Sequence, residues 1–335
     1  MATVESSNRI SYLEAIVQAQ MEEMERDERV IMMSEDIAVY GSGDLTKRFG
    51  PRRIWPMPIS EGSFTGVGIG AAIAGLRPII DFNIASFMYL ASDQIINQAA
   101  KLRFMTGGQV KVPILFRVCM FYGTSIAAQH SDRPYSLFMN VPGLKIICPT
   151  TPSDVKGLLK AAVRDDDPVI LFEDMKLWPL REEVPTDPDF LVPIGKADIK
   201  RVGKDVTLVA IGGAMRPTLE AASVLADEGI SADVIDPRTL KPLDMQPILN
   251  SVVKTGRLVI VENAHRVVSA SAEISANVCE DAFDCLKRPI VRLTAPDVQV
   301  PFSPLLEQAL FPNKDKIVVS VRRLLSESAG HVDCK

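Results

Sequence analysis

The chain has 335 residues, 47% hydrophobic and 24% charged, a balance typical of globular proteins with a sizeable core. Its net charge is −5 and no basic stripe is visible, which argues against nucleic acid as a partner. The five cysteines form no C-x-x-C pair, the N-terminus lacks an apolar leader, and no run of eighteen apolar residues occurs. We therefore expect a cytoplasmic protein without a membrane partner.

The first part of the chain alternates apolar strands with helices. Ser11 and Glu14 have the spacing of a capping box, which predicts a helix to about Glu25. Helical periodicity predicts a second helix over 92–104, and Ser153 is predicted to cap a third helix that runs to Val163. Buried strands are predicted at 30–33, 78–82, 113–117, 144–149 and 168–173. This alternation indicates a mostly parallel sheet covered on both faces.

A polar, proline-rich stretch divides the chain. Residues 181–192 show no periodicity and are interpreted as an interdomain linker. The alternation then restarts, with strands predicted at 206–211, 232–235 and 258–262 and helices at 216–228 and 245–254. The expected fold class is α/β with two doubly wound domains, at 1–180 and 193–330.

One carboxylate stands at the head of a run of small residues. Glu61 ends the segment Pro58-Ile59-Ser60-Glu61 and precedes a run of glycine and alanine at 66–72. Small residues let a helix pack closely against a neighbour, or let another group approach it. The alternative is an ordinary helix N-terminus, where the macrodipole favours an acid.

The histidines are few enough to be weighed one by one. His130 follows the strand predicted at 113–117, on the side of the sheet where ligands bind, and is the best candidate for a general acid or base near neutral pH. His265 follows the strand predicted at 258–262, beside Asn263 and Arg266. This position indicates a binding role but does not identify a ligand. His331 lies in the C-terminal tail and is expected to be inert. Phosphate-binding loops, H-E-x-x-H and G-x-S-x-G motifs are missing from the sequence.

An ordered set of motifs now points to one family. The motifs lie at 58–61, 75–78, 93–101, 107–108, 127–131, 141–145, 164–170 and 236–244. In this order and over nearly its full length, the chain resembles the beta subunits of the thiamine-diphosphate-dependent 2-oxo acid dehydrogenases and acetoin dehydrogenases. The resemblance implies a transketolase-like pyrimidine-binding domain followed by a transketolase C-terminal domain.

The resemblance also implies a role for each candidate residue. Glu61 would bond the aminopyrimidine ring of thiamine diphosphate and so promote loss of the proton from its thiazolium carbon. Ile59, Asn83 and Phe87 would line the pyrimidine pocket. His130 would serve proton transfer or the reductive acylation of a lipoyl group. The cofactor would act as the electron sink.

The sequence supplies only half of such a site. Related enzymes hold Mg²⁺ with a Gly-Asp-Gly motif and a later asparagine, and this chain has only Gly43-Asp44-Leu45. The resemblance therefore implies that an alpha subunit holds Mg²⁺ and the diphosphate. It also implies a second beta subunit and, as acceptor, a lipoyl-bearing acyltransferase. A K⁺ ion would be held mainly by carbonyls near Ile114, Ala162, Val163, Asp165 and Asp167.

The chain departs from the family between Val118 and Thr124, where a glycine-rich loop containing Pro and Asn is usual. Bulky residues there are expected to reshape the acyl pocket beside His130. The leading hypothesis is a subunit that decarboxylates a 2-oxo acid or cleaves acetoin. The alternatives are a two-chain transketolase-type carboligase and a non-catalytic scaffold, which would need neither Glu61 nor His130.

Overall fold

The computed structural model describes residues 7–37 and 43–326, so that His331 and Cys334 lie outside it. The chain divides into two compact units. The first comprises the residues up to Gly195 together with Thr239–Pro242, and the second comprises the residues from Lys196 to Arg238 and from Leu243 onward. No helix in the described part of the chain combines the length and apolarity needed to span a bilayer.

Strands and helices alternate along most of the chain. The strands are β1 (Ser7–Ser11), β2 (Val30–Ser34), β3 (Ile54–Pro56), β4 (Arg77–Ile84), β5 (Leu115–Met120), β6 (Lys145–Ile147), β7 (Val169–Asp174), β8 (Arg181–Pro185), β9 (Asp198–Arg201), β10 (Val206–Ala210), β11 (Ala232–Asp236), β12 (Thr239–Lys241), β13 (Leu258–His265) and β14 (Val291–Ala295). The helices are α1 (Tyr12–Arg26), α2 (Gly43–Phe49), α3 (Glu61–Ile73), α4 (Ala100–Met105), α5 (Tyr135–Met139), α6 (Pro152–Arg164), α7 (Met215–Asp227), α8 (Met245–Thr255), α9 (Ala270–Ala282), α10 (Pro304–Leu310) and α11 (Lys314–Ser326).

The first unit is built on a mostly parallel sheet. Its strand order is β12-β6-β7-β5-β4-β2-β3, and only β12 runs antiparallel to its neighbour. Helices α1 and α6 share a hydrophobic core with one face of this sheet. Helix α3 packs on the other face, where Phe64 lies 5.7 Å from Phe82 between ring centroids. The prediction of a parallel sheet covered on both faces is confirmed.

The second unit repeats this architecture on a smaller scale. Its strand order is β14-β13-β10-β11-β9, with β9 antiparallel to β11. Helices α7 and α11 form a hydrophobic core with one face of the sheet. On helix α8, Ser251 and Thr255 form hydrogen bonds of 2.7 and 2.8 Å with Thr207 of β10. Both units are therefore doubly wound α/β structures.

Helix boundaries follow local capping chemistry. The capping box of Ser11 and Glu14 is confirmed at the start of α1. The predicted cap of α6 was wrong, because Thr151 rather than Ser153 accepts the hydrogen bond from the amide of Asp154. Proline at the first helical position makes Thr151 the preferred cap, since Pro152 needs no hydrogen-bond acceptor and its φ suits a helix.

Two further segments differ from the expected domain division. The region expected to be a linker, 181–192, begins with β8, which pairs with β1 in a separate antiparallel ribbon. Lys156 of α6 also donates a hydrogen bond of 2.8 Å to the carbonyl of Pro185. Strand β12 is placed with the first unit, because it pairs with β6. Strands β8 and β12 are both short, so neither has a hydrophobic periodicity that could be detected in the sequence.

Candidate active site

Several of the predicted site residues of the first unit lie near adjacent strand ends. Strands β5, β4 and β2 are parallel neighbours, so their carboxyl ends lie at the same edge of the sheet. Glu35 directly follows β2, and the 3₁₀ helix Ala85–Ala91, which contains Phe87, directly follows β4. The loop that leads to His130 follows β5. Such an edge is where open α/β sheets bind ligands.

Glu61 is the first residue of α3 and is only 4% exposed. Among the described residues no hydrogen bond or ion pair reaches its carboxylate. The glycines of α3 explain how it becomes buried. A Cβ on Gly62 would lie 3.1 Å from the carbonyl oxygen of Leu90, and one on Gly68 would lie 2.5 Å from Cδ1 of Ile80. The small residues therefore let α3 sit closely against β4 and the turn that follows it.

Glu35 forms a second acidic group at this edge, and sequence reasoning missed it. Burial raises the pKa of Glu35 to about 7, with further contributions from the charges of Glu61, Asp36 and Asp81. Its Oε2 atom is buried without a hydrogen-bond partner in the described chain. Partial burial and the neighbouring negative charges both disfavour the ionised form of Glu35 and so favour its protonated form. An acid directly after a parallel strand was the available sequence signal.

Asn83 is held in a conformation that few residues other than glycine adopt. Its φ is +58°, and its amide N–H donates a hydrogen bond of 2.9 Å to Oδ1 of Asp81. Its side chain is 4% exposed. Within residues 7–37 and 43–326 the Nδ2 atom of Asn83 and the hydroxyl of Ser86 are buried without a partner. Backbone strain next to unsatisfied polar groups is typical of functional sites.

A buried ion-pair network supports this edge from within the sheet. Arg117 of β5 forms ion pairs with Asp81 of β4 and, at 2.6 Å, with Glu173 of β7. Although desolvation acts to lower it, the two carboxylates raise the pKa of Arg117. Burial raises the pKa of Glu173 to about 7 against the opposing effect of Arg117. Because Asp81 also binds the backbone of Asn83, the network fixes the conformation of a site residue.

His130 lies in the single-turn helix Ala128–His130, and its ring meets Phe87 edge-on with 5.6 Å between centroids. The turn is fixed from both sides. The Ser131 hydroxyl donates to the carbonyl of Ala127, whose φ is +63°, at 2.7 Å. Arg133 donates to the carbonyl of Ser131 at 2.6 Å.

Arg133 connects this turn to the unusual loop at 118–124. Its Nη2 atom donates to the carbonyl of Phe121 at 3.3 Å, and its guanidinium lies 4.6 Å from the ring centroid of Tyr122. Lys176 donates to the carbonyl of Gly123 at 3.2 Å, on the other side of the loop. The bulky residues are therefore anchored by two cations. Sequence reasoning noticed the loop but missed Arg133 as the residue that holds it.

The structure brings together only some of the predicted residues. Phe87 contacts His130, and Glu61 interacts electrostatically with Glu35. Ile59 precedes α3 and is 83% exposed, so its side chain packs against no other part of the described unit.

Comparisons with known proteins decide the family. Residues 8–179 match the model of the transketolase pyrimidine binding domain, and residues 195–317 match that of the transketolase C-terminal domain. The chain is 43% identical to the acetoin:2,6-dichlorophenolindophenol oxidoreductase subunit beta of Bacillus subtilis, covering 96% of this chain and 98% of that protein. It is 41% identical to the mitochondrial pyruvate dehydrogenase E1 component subunit beta of Bos taurus, and the match covers 97% of this chain and 93% of that protein. The 2-oxoisovalerate dehydrogenase subunit beta of Bacillus subtilis is also 41% identical, and the match covers 94% of this chain and 98% of that protein.

The chain belongs to the transketolase-like beta subunits of the 2-oxo acid and acetoin dehydrogenases. A solved structure, a split-gene transketolase in an inactive beta4 tetramer, supports the fold of this beta subunit. It has a TM-score of 0.79 at 23% identity, and the match covers 95% of this chain and 98% of the other.

The beta subunit presents a set of polar atoms that fits a flat, polar ring. The unpartnered atoms of Glu35, Asn83 and Ser86 and the buried carboxylate of Glu61 offer both donors and acceptors at one sheet edge. A carboxyl that holds its proton donates a hydrogen bond, whereas an ionised one only accepts. This is the donor and acceptor mixture that an aminopyrimidine requires.

The residues predicted to hold potassium lie away from this edge, around the end of α6. The Asp165 carboxylate pairs with Lys145 at 2.7 Å, and the Asp167 carboxylate pairs with Arg103. Arg77 donates to the carbonyls of Val163 and Asp165 at 3.0 and 2.9 Å.

Two more of the predicted carbonyls accept backbone hydrogen bonds. That of Ile114 accepts from Val169 at 3.0 Å, and that of Ala162 accepts from Asp165 at 3.3 Å. A potassium ion would therefore have to share its ligands with cations and amides of the chain itself.

Proposed function

We propose that this beta subunit contributes half of a thiamine diphosphate site in a two-chain enzyme. The enzyme would decarboxylate a 2-oxo acid or cleave acetoin and pass the acyl group to a lipoyl domain. The observation that supports this most strongly is the burial of Glu61, which has no hydrogen-bond or ion-pair partner among the described residues. Glu61 lies at the sheet edge where polar atoms of Glu35, Asn83 and Ser86 are also buried without hydrogen bonds. The activities for which these relatives are named agree with this reaction class.

Each residue of this chain has a distinct task in the proposal. Thiamine diphosphate supplies the electron sink that stabilises a carbanion at the acyl carbon. Glu61 forms a hydrogen bond with the aminopyrimidine ring, while the raised pKa of Glu35 favours its protonated form and lowers the net charge of the site. Asn83 and Ser86 orient the ring with their free donors. His130, fixed by its turn and by Phe87, moves a proton on the substrate side.

The missing half of the site defines the partners. The chain has no Gly-Asp-Gly motif, so an alpha subunit would hold the diphosphate and Mg²⁺. We assign two alpha and two beta chains to the assembly, a lipoyl-bearing acyltransferase to the acceptor role and the cytoplasm as its location. Potassium near Val163 and Asp165 stays part of the proposal and would stiffen the end of α6. It carries no step of the reaction.

Substitution of Glu61 tests the proposed function. Glu61→Gln keeps the size of the side chain but removes its charge, so turnover with the alpha partner should fall about 10²- to 10⁴-fold. Glu28→Gln, at an exposed position before β2, is the matched control and should leave turnover unchanged. Full turnover in the Glu61→Gln enzyme would refute the proposed role.

A second function is favoured by one observation, the anchored loop at 118–124. Its bulky residues lie beside the His130 turn, where they could reject a lipoyl arm and favour an aldehyde acceptor. The enzyme would then be a two-chain carboligase of the transketolase type. Efficient acyl transfer to an isolated lipoyl domain, compared with transfer to glycolaldehyde in the same assay, would exclude the carboligase.

A further inference from the structure

The second unit contains a cavity that the thiamine chemistry does not use. Its volume is about 420 Å³. Residues that follow β13, the end of β14 with the turn after it, and parts of α10 and α11 line it. Strands β13 and β14 are parallel neighbours, and the cavity lies toward their carboxyl ends. Open α/β sheets bind ligands at this end.

The lining of the cavity has an excess of positive charge. Arg266, Arg292 and Lys316 line it, against Asp297 as the one acid among the lining residues. A concave surface with walls of low polarity concentrates the field of such charges and attracts anions.

Two of these cations are held side by side by the backbone. Arg266 donates from Nη1 to the carbonyl of Arg292 at 3.2 Å, and Arg292 donates from Nη2 to the carbonyl of Arg266 at 2.7 Å. Desolvation and the charge of Arg266 lower the pKa of Arg292, against the opposing effect of Glu262. The Nε atom of Arg292 is buried without a partner in the described chain. A bound anion would relieve the repulsion between the two guanidinium groups.

The third cation is fixed on the opposite wall. Lys316 donates to the carbonyls of Ala309 and Phe311 at 2.6 and 3.1 Å, at the end of α10. An ammonium group has three donors, so one N–H remains to point at a ligand.

Apart from Thr294 and the charged residues, the lining is apolar, which defines the body of the ligand. The apolar lining residues are Val267, Leu293, Ala295, Pro296, Ala309 and Leu310. His265 fixes the rim, because its Nδ1 lies 2.8 Å from the carbonyl of Pro296. The position of His265 and Arg266 after a parallel strand predicted a binding role. In the structure His265 has a structural role, whereas Arg266 lines the cavity.

We propose that the cavity binds a small organic anion, whose oxyanion group contacts Arg266, Arg292 and Lys316 and whose short hydrocarbon body lies against the apolar wall. The oxyanion is a phosphate or a carboxylate, since both accept several hydrogen bonds from cationic donors. The cavity is lined by residues of the second unit, whereas Glu61 and His130 belong to the first unit.

Calorimetric titration of the full chain tests the proposal with three probes: butyl phosphate, butyrate and inorganic phosphate. We expect saturable binding of at least one butyl probe, and at least about tenfold weaker binding of inorganic phosphate, which lacks the hydrocarbon body. Tighter binding of butyl phosphate would identify a phosphate ligand, and tighter binding of butyrate a carboxylate.

Matched variants locate the binding. Arg292→Gln and Lys316→Gln should each weaken the better butyl probe about tenfold or more. Lys314→Gln is the control, because Lys314 is exposed on the same helix and does not line the cavity. Lys316 is itself exposed, so its variant should fold even if Arg292→Gln does not. The proposal is overturned if no probe saturates, or if Lys316→Gln binds as tightly as Lys314→Gln.

Discussion

Replacing Glu35 by glutamine tests whether this side chain holds a proton beside Glu61. The pKa of Glu35 is raised from 4.5 to about 7, chiefly by burial and then by the charge of Glu61. A raised pKa in the folded state contributes stability that is fully present below pH 4.5 and is lost as the pH rises through 7. At full value this rise corresponds to about 3 kcal/mol. Because Glu35 is partly exposed, solvent screening lowers the expected effect to about 1 kcal/mol.

The assay is urea unfolding of the wild type and the variant from about pH 4 to pH 8. Glutamine mimics the protonated carboxyl, so the two proteins should have equal free energies of unfolding at the acid end. Near pH 8 Glu35→Gln should be more stable by about 1 kcal/mol. Glu28→Gln, on the exposed turn before β2, is the matched control. A Glu35→Gln curve that follows the wild type over the whole range, or lies below it at high pH, would refute the reasoning.

Two further substitutions test the supports of the site. Arg117→Met leaves Asp81 and Glu173 buried without their cation and should cost about 3–5 kcal/mol in urea unfolding. Arg322→Met breaks a surface pair with Glu228 and should change the free energy of unfolding little. An equally small effect of Arg117→Met would contradict the stabilising role of the buried network. Arg133→Gln should lower kcat about tenfold with a nearly unchanged KM, because the His130 turn loses its bonds to Arg133. Arg133→Lys should recover part of the loss, and a change in KM alone would argue against positioning.

Local patterns in the sequence were sufficient for most elements of the fold. The capping box of Ser11 and Glu14 and the apolar run of β2 depend on neighbouring residues, and both were predicted. The helix expected over 92–104 is only partly α-helical, because Gln94–Ala99 forms a π-helix. A π-helix differs from an α-helix in hydrogen bonding rather than in apolar pattern, so periodicity cannot reveal it.

Contacts between distant residues could not be predicted from these patterns. Arg117 was treated as the end of a strand, although it bridges Asp81 and Glu173 from adjacent strands. Glu35 directly follows β2 in the sequence, but its raised pKa depends on burial and on the charge of Glu61, which lies 26 positions later. The pairing of β12 with β6 likewise joins segments about ninety residues apart. Sequence patterns singled out Glu61 and His130, and family resemblance added Ile59, Asn83 and Phe87. The structure showed which contacts hold Asn83 and His130 in place.

The most direct test of the account is a calorimetric titration of thiamine diphosphate with Mg²⁺ into this chain, alone and mixed with its alpha partner. The proposed half-site predicts no strong binding to the chain alone and tight binding to the mixture. The mixture with Glu61→Gln should bind more weakly, because the ring loses its hydrogen bond to the carboxyl group. Tight binding of thiamine diphosphate and Mg²⁺ to this chain alone would contradict a site that is shared between two chains.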